Sequence, residues 1–357
     1  MPADSATAAP PTPDAPAPPA PDARLRTRVM AGVGAVLAVA VLRVTEPVTL
    51  PFAVALFLIV LARPLQRAVE RHAPRWVAVV ACTLALLIVV AVIASGFALS
   101  LGQLAGRAPE LAERLETVTE QARRWAERRG LPAPAGQDGS LVERLFPLLS
   151  GMMRKGGVTL ERLGLVVAFF VLGLLEVDAF RDKARTRLAA STGEAIVGTA
   201  EDIAHRVRRY IGALSITSLI SGVATGLFAL AVGLDSPLTW GLVAFLLNYV
   251  PTVGPFVSVV PPTLYALLQF GGVGRAALVF FGVGAIQFFI GNFLDPKIEG
   301  RALSMSALVV LLAVIFWGWV WGVLGALLGV PITAALLAVC ERFERARWLP
   351  ALLADEK

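Results

Sequence analysis

Apolar and polar stretches alternate along the chain, with apolar segments at about residues 29–44, 48–62, 76–101, 158–177, 210–232, 237–269, 276–294 and 307–340. Trp76 to Leu101 and Ala276 to Phe293 contain no charged residue. They reach or approach the roughly 20 residues that a helix needs to cross a hydrocarbon core. The pattern predicts an all-α, polytopic integral membrane protein of about eight transmembrane segments, because only helices satisfy their own backbone groups in lipid over such lengths. The first two segments are short, and Pro47 and Pro51 predict that they form a tight hairpin. The sixth and eighth are too long for one ordinary crossing, and each is interrupted by Gly or Pro. "NYVPTVGPFVSVVPP", residues 248–262, interrupts the first; "GWVWGVLGALLGVP", residues 318–331, interrupts the second. Two Gly/Pro-broken hairpins are therefore expected, with Pro261, Gly318, Gly325 and Pro331 among the breaking residues. For Gly318, Gly322, Gly325 and Gly329 there is an equal alternative, that they let helices approach closely.

Between these segments the polar stretches have their own patterns. Residues 1–23 are a Pro/Ala-rich tail that cannot offset its ordering entropy and is expected to be disordered. Residues 24–101 carry the N-terminal spans; the first apolar run follows Arg24, Arg26 and Arg28 and is expected to stay as a span or anchor. Residues 102–156 form an extramembrane insertion. There Leu104, Leu111, Leu115, Val118 and Trp125, spaced seven, four, three and seven apart, line one helical stripe. "GLPAPAGQDGS" ends that pattern before a second short helix at 141–149. A span at 157–180 precedes an amphipathic cytoplasmic helix at 181–209, with Leu188, Ile196, Val197, Ile203 and Val207 on its apolar side. Residues 210–345 form the core that holds both broken hairpins, and 346–357 a C-terminal tail.

Composition agrees with a membrane protein: 57% of the 357 residues are hydrophobic and 16% charged, and the mean hydropathy is +0.73. The formal net charge of +6 does not point to nucleic acid, because the basic residues sit in short connections rather than on one soluble face. They read as topology signals that place both termini in the cytoplasm by the positive-inside rule. Cys82 and Cys340 lie within or at the end of apolar runs, and His72 and His205 in Arg-rich connections, so neither a metal nor a cofactor is expected. No P-loop, HExxH or nucleophile elbow is present, which argues against an enzyme.

Candidate chemistry therefore lies with polar residues at depth. No acidic residue falls within 237–294 or 303–340. The available lining is Ser215, Thr217, Ser218, Ser221, Asn248, Gln287 and Asn292, with Trp317, Trp319 and Trp321 either as stacking surfaces or as an interfacial belt. Such a lining suits a small polar solute recognised by hydrogen bonds and by backbone freed at Pro251, Gly254 and Pro255. A cation exchanger needs a carboxylate at depth. The chain offers Asp295 and, more weakly, Glu176 and Asp178.

Three ordered motifs, "RRYIGALSITSLISG" at 208–222, "FLLNYVPTVGPFVSVVPP" at 245–262 and "GNFLDPKIEGRALSMSALVVLLAVIFWGWVWGVLGALLGVP" at 291–331, resemble the autoinducer-2 exporter family of bacterial inner-membrane proteins, in its subgroup with "FWGW" before a Gly-rich hairpin. The resemblance implies a seven-to-eight-span permease without ATPase activity, one subunit of a homo-oligomer, that exports a quorum-sensing signal. Some members of the family are linked instead to sodium/proton antiport, and an oligomeric channel or membrane scaffold is a further alternative. It also implies motif roles for Asn248, Pro251, Gly254, Pro255, Pro261, Asn292, Trp317, Gly318, Gly325 and Pro331, and a gating or coupling role for Asp295, Pro296 and Gly300. Leu214 and Ser215 stand where many relatives have Lys-Thr, Glu299 where an apolar residue is usual, and Gly329 where Ala or Ser is usual.

Overall fold

The computed structural model describes residues 21–106, 160–187, 190–299 and 305–341, together with Glu113, Arg114, Thr117, Glu120, Arg124 and 127–129. Every regular element among them is helical. Helix α1 (Pro21–Val44) belongs to a unit of its own, and the rest of the chain, from Glu46, forms a second unit. The second unit contains α2 (Glu46–Glu70), α3 (Arg75–Gly106), α4 (Leu160–Arg187), α5 (Ala190–Val232), α6 (Pro237–Leu247), α7 (Val253–Phe270) and α8 (Val273–Phe289). A π-helical turn (Ile290–Leu294), α9 (Asp295–Glu299) and α10 (Ala307–Cys340) complete it. Among the described residues seven segments are long and apolar enough to cross a membrane: α2, α3, α4, α5, α7, the run from α8 through α9, and α10. The chain is a multi-pass membrane protein.

Helices α2, α3 and α4 share a core of Ala55, Ile59, Val79, Cys82, Phe170 and Leu174. Helices α2 and α4 run parallel, since Glu46 pairs with Arg162 at one end (3.3 Å) and Arg63 with Asp178 at the other. From Glu46 to Arg63 is a rise of about 25 Å at 1.5 Å per residue, close to the thickness of a hydrocarbon core. Asp178 also meets Arg75 at 3.3 Å. The fully buried Gln66 accepts from Arg63 (3.1 Å) and donates to Glu70 (2.9 Å), so its own amide is satisfied.

The second bundle gathers α5 to α8 around Ala229, Trp240, Val259, Tyr265, Val279 and Val283. Helices α5 and α6 touch backbone to backbone. A Cβ added to Gly222 would lie 2.8 Å from the Gly241 carbonyl oxygen, and one on Gly241 equally close to that of Gly222. Gly222 and Gly226, four apart on α5, form the small-residue stripe that permits this.

Both long apolar segments are broken. In the first, α6 has 11 residues, about 16 Å, half the distance needed to cross. In the second, Trp321 and Gly322 leave the helical region; Gly322 has φ 66° and ψ −149°, a conformation open essentially to glycine. The chain reverses there, so that 323–340 packs back on 307–320 and Gly329 faces the Ala313 carbonyl. The break thus lies between Gly318 and Gly325 rather than at either, and Pro331 is buried within the second arm. A Cβ on Gly325 would collide with the Trp317 carbonyl, and one on Gly318 would lie 3.4 Å from the Ala326 Cβ. The structure therefore gives these glycines to close packing. Pro261 is likewise inside α7, and the first break is at 248–252.

The segment 181–209 is divided: residues to Arg187 extend α4, and those from Ala190 start α5, which continues as one helix of 43 residues to Val232. Val197 and Val207 are buried there, whereas Ile196 is exposed. In the insertion the described positions Glu113, Arg114, Thr117, Glu120, Arg124 and Glu127 are helical and exposed, and Arg114 donates to the Gln269 carbonyl. Of the expected tail at 1–23, Pro21 to Ala23 instead open α1, whereas 1–20, the stripe residues Leu111, Leu115, Val118 and Trp125, the helix at 141–149, Leu188 and the C-terminal tail lie outside the described residues.

Candidate functional site

The site is built on one face of α5. Thr217, Ser218, Ser221 and Thr225 follow at steps of one, three and four and are all completely buried. Ser221 is the midpoint of the apolar run 210–232. Four small hydroxyl side chains at that depth need partners, because water is not there to supply them. Asn248, at the end of α6, donates from Nδ2 to Ser218 (3.0 Å). Gln287 of α8 places Nε2 2.9 Å and Oε1 3.2 Å from Ser221 Oγ. Tyr249 donates its hydroxyl proton to Ser215 (2.9 Å). Asn248, Gln287 and the α5 stripe are thus brought together from three helices.

The approach of Asn248 depends on the break. Asn248 still has helical angles (φ −61°, ψ −20°). Thr252 has φ 65° and ψ −53°, and Val253 N bonds the Pro251 carbonyl at 2.7 Å. This is a γ-turn of the rare, strained hand, at a β-branched residue. Gly254 follows so close to α6 that a Cβ would collide with the Leu247 carbonyl. Only glycine fits. Pro251 and Pro255 are half-buried beside the turn. Within α7, Pro261 and the buried Pro262 lack the N–H groups that would bond the carbonyls four residues back, at Val257 and Ser258.

Asp295 reaches α5 through the π-helical turn. The buried positions Val283, Gln287 and Ile290 are spaced four and three apart, so an uninterrupted helix would bring Leu294 next onto that face. The wide turn inserts one residue, and Asp295 takes that place, its carboxyl beside the Thr217 hydroxyl. Three buried oxygens around this cluster have no hydrogen-bond partner: Asn248 Oδ1, Thr225 Oγ1 and Asp295 Oδ1.

Other expected residues lie elsewhere. Asn292 is exposed and donates to the Phe288 carbonyl (2.9 Å); two residues after the buried Ile290, it falls on the opposite face of the helix. Pro296 is exposed, and Gly300 lies outside the described residues. Trp317 is buried inside the second hairpin. Its Nε1 donates to Thr333 (3.1 Å) and its ring lies 5.0 Å from that of Trp321, so it clamps the two arms together. Trp319 is exposed. Thr225 and Tyr249 join the site without having been expected there; the step of four from Ser221 to Thr225 is the signal that could have found the first.

Comparison with known proteins gives the same answer from a different direction. The AI-2E family transporter model matches residues 33–345. The AI-2 transport protein TqsA of Escherichia coli (strain K12) is 28% identical over 318 residues, 88% of this chain and 91% of that protein. A putative transport protein of Haemophilus influenzae is 29% identical over 348 residues, 92% of this chain and 96% of its own. The putative transport protein YhhT of Escherichia coli (strain K12) is 41% identical over 128 residues, 36% of each chain. With a family match spanning most of the sequence, a multi-pass helical fold and a polar cluster buried among its helices, the chain belongs to the AI-2E family of transporters.

Proposed function

We propose that this transporter moves a small, neutral, polar solute of the autoinducer-2 type outward across the bacterial inner membrane, as one subunit of a homo-oligomer with cytoplasmic termini. The observation that carries the reading is the set of unpaired buried oxygens, Asn248 Oδ1 and Thr225 Oγ1, beside Ser218, Ser221 and Gln287. Acceptors left open at the middle of an apolar run suit the hydroxyl donors of such a solute. The pairing of two broken hairpins supports alternating access around it, and the similarity to TqsA, an AI-2 transport protein, supports the solute class. The Arg-rich ends of α2 and α4 support the orientation.

The test is uptake of a labelled furanone-type autoinducer-2 by inside-out proteoliposomes. Asn248→Ala and Thr225→Val each lower the rate about tenfold, the value of one hydrogen bond to a bound solute. Rates unchanged in both variants refute the assignment. A second reading, sodium/proton antiport, draws on Asp295, whose Oδ1 is buried without a partner against α5. Under it Asp295→Asn abolishes pH-gradient-driven sodium flux while Asn248→Ala spares it.

A further inference from the structure

Away from that cluster, α2 and α4 enclose a groove of about 250 Å³ lined by Phe52, Leu56, Ile59, Phe169, Leu172 and Glu176. Its depth comes from small residues: Ala55 and Gly173 form the floor, and a Cβ on Gly173 would collide with Ile59. Phe52 and Phe169 meet edge to face at 5.5 Å, while Phe52, Leu56 and Leu172 are exposed along the walls. Because α2 and α4 are parallel, the groove runs along the direction in which both helices cross the membrane. It is smaller than the roughly 300 Å³ at which pockets for whole small molecules begin, and fits a section of chain.

One end of this apolar groove is charged. Glu176 is exposed, and among the described residues it has neither an ion pair nor a hydrogen bond. It lies two residues before Asp178, about 3 Å along the helix axis, so it sits just inside the level where Arg63 and Arg75 mark the edge of the apolar slab. Those two cations are already held by Asp178, on which Arg67 also acts, and none of the three lines the groove. The unpaired charge of the groove is therefore negative, at the depth where acyl chains give way to headgroups. An unpaired carboxylate facing lipid there is costly and calls for a cation.

We propose that the groove binds one acyl chain of a phospholipid whose headgroup ends in a primary ammonium, and that Glu176 receives that ammonium. The N–H donors of a primary ammonium can bond the carboxylate, which a quaternary ammonium cannot do, and an anionic headgroup brings no cation to it. The proposal is independent of the solute assigned to the α5 cluster.

The experiment is native mass spectrometry of the full-length protein released from bilayers of equal phosphatidylethanolamine, phosphatidylcholine and phosphatidylglycerol. The wild type retains phosphatidylethanolamine over the other two. Glu176→Gln lowers that preference about tenfold, the size of one charge-assisted hydrogen bond. Leu172→Trp, at an exposed wall position that tolerates size, removes the bound lipid while leaving the carboxylate in place. No headgroup preference in the wild type, or a preference that survives Glu176→Gln, overturns the proposal. So does carbodiimide protection of Glu176 that rises with protein concentration rather than with added lipid, which would give the groove to a second copy of the chain.

Discussion

Gly254→Ala tests the geometry of the first hairpin most directly. The added methyl carbon would sit 2.6 Å from the Leu247 carbonyl carbon and closer still to its oxygen, with Asn248 N at 3.4 Å. These are backbone atoms, so no side-chain rotation relieves the collision; α6 and α7 must part, and Asn248 must leave Ser218. Overpacking of this kind costs about 1–3 kcal/mol, an unfolding midpoint lower by about 1–4 °C for a chain of this size. Gly212→Ala is the control. It lies in α5 with nothing within 4 Å of the new Cβ, and it gains the helix preference of alanine, about 0.5–1 kcal/mol. Both variants are compared by thermal unfolding in one detergent, followed by tryptophan fluorescence, and by solute uptake in liposomes. Gly254→Ala melts lower and transports poorly, whereas Gly212→Ala melts at or above the wild type. Equal midpoints and equal uptake for the two alanines would refute the close approach of α6 and α7.

Thr252→Gly removes the side chain from a γ-turn with φ 65° and raises the unfolding midpoint by the equivalent of about 1 kcal/mol; a lower midpoint shows that the turn is not strained. Asp178→Asn leaves Arg63 and Arg75 without their counter-ion. Since Asp178 is partly solvated the loss is about 1–3 kcal/mol, between that of exposed and buried pairs, read as a lower midpoint that Glu176→Gln does not share. Trp317→Phe keeps one aromatic ring of the buried indole but loses the bond to Thr333, which still donates to the Gly329 carbonyl (2.8 Å). It costs about 1 kcal/mol of stability, and uptake per folded molecule stays unchanged; a selective loss of uptake would put Trp317 in the pathway.

The spans were legible because uninterrupted hydropathy is the one signal that membrane helices cannot do without. The first break was legible because Pro251 lacks the N–H that would continue α6 and Gly254 and Pro255 cluster just beyond it, although both turn out to lie in the first turn of α7. The second was legible as a segment but not as a residue. Gly318, Gly322, Gly325 and Gly329 are chemically identical, and only the backbone shows that Gly322 turns the chain while the others pack the arms. The Ser/Thr stripe of α5 could be read from spacing alone. Asn292 could have been set aside from its spacing to Ile290, but Asp295 is brought to α5 by a single wide turn, and nothing in "IGNFL" announces it. Glu176 was visible as a charge near the end of a span, but its groove needed Ala55 and Gly173 from two different helices.

Helix α5 also has a mechanical property. Its 43 residues contain neither proline nor any break, so it acts as a stiff beam about 64 Å long. Ser221 is 31 positions from Ala190 and four from Thr225, about 46 Å and 6 Å along the axis. If the beam tilts by about 10° around Ser221, the end at Ala190 sweeps about 8 Å while Thr225 shifts by about 1 Å. A rearrangement too small to see at the hydroxyl cluster is thus magnified about eightfold at the far end, and about fourfold part-way along, where Arg206 meets Glu341. A spin or fluorescent label on the outer stretch of α5 would work as the pointer of a gauge.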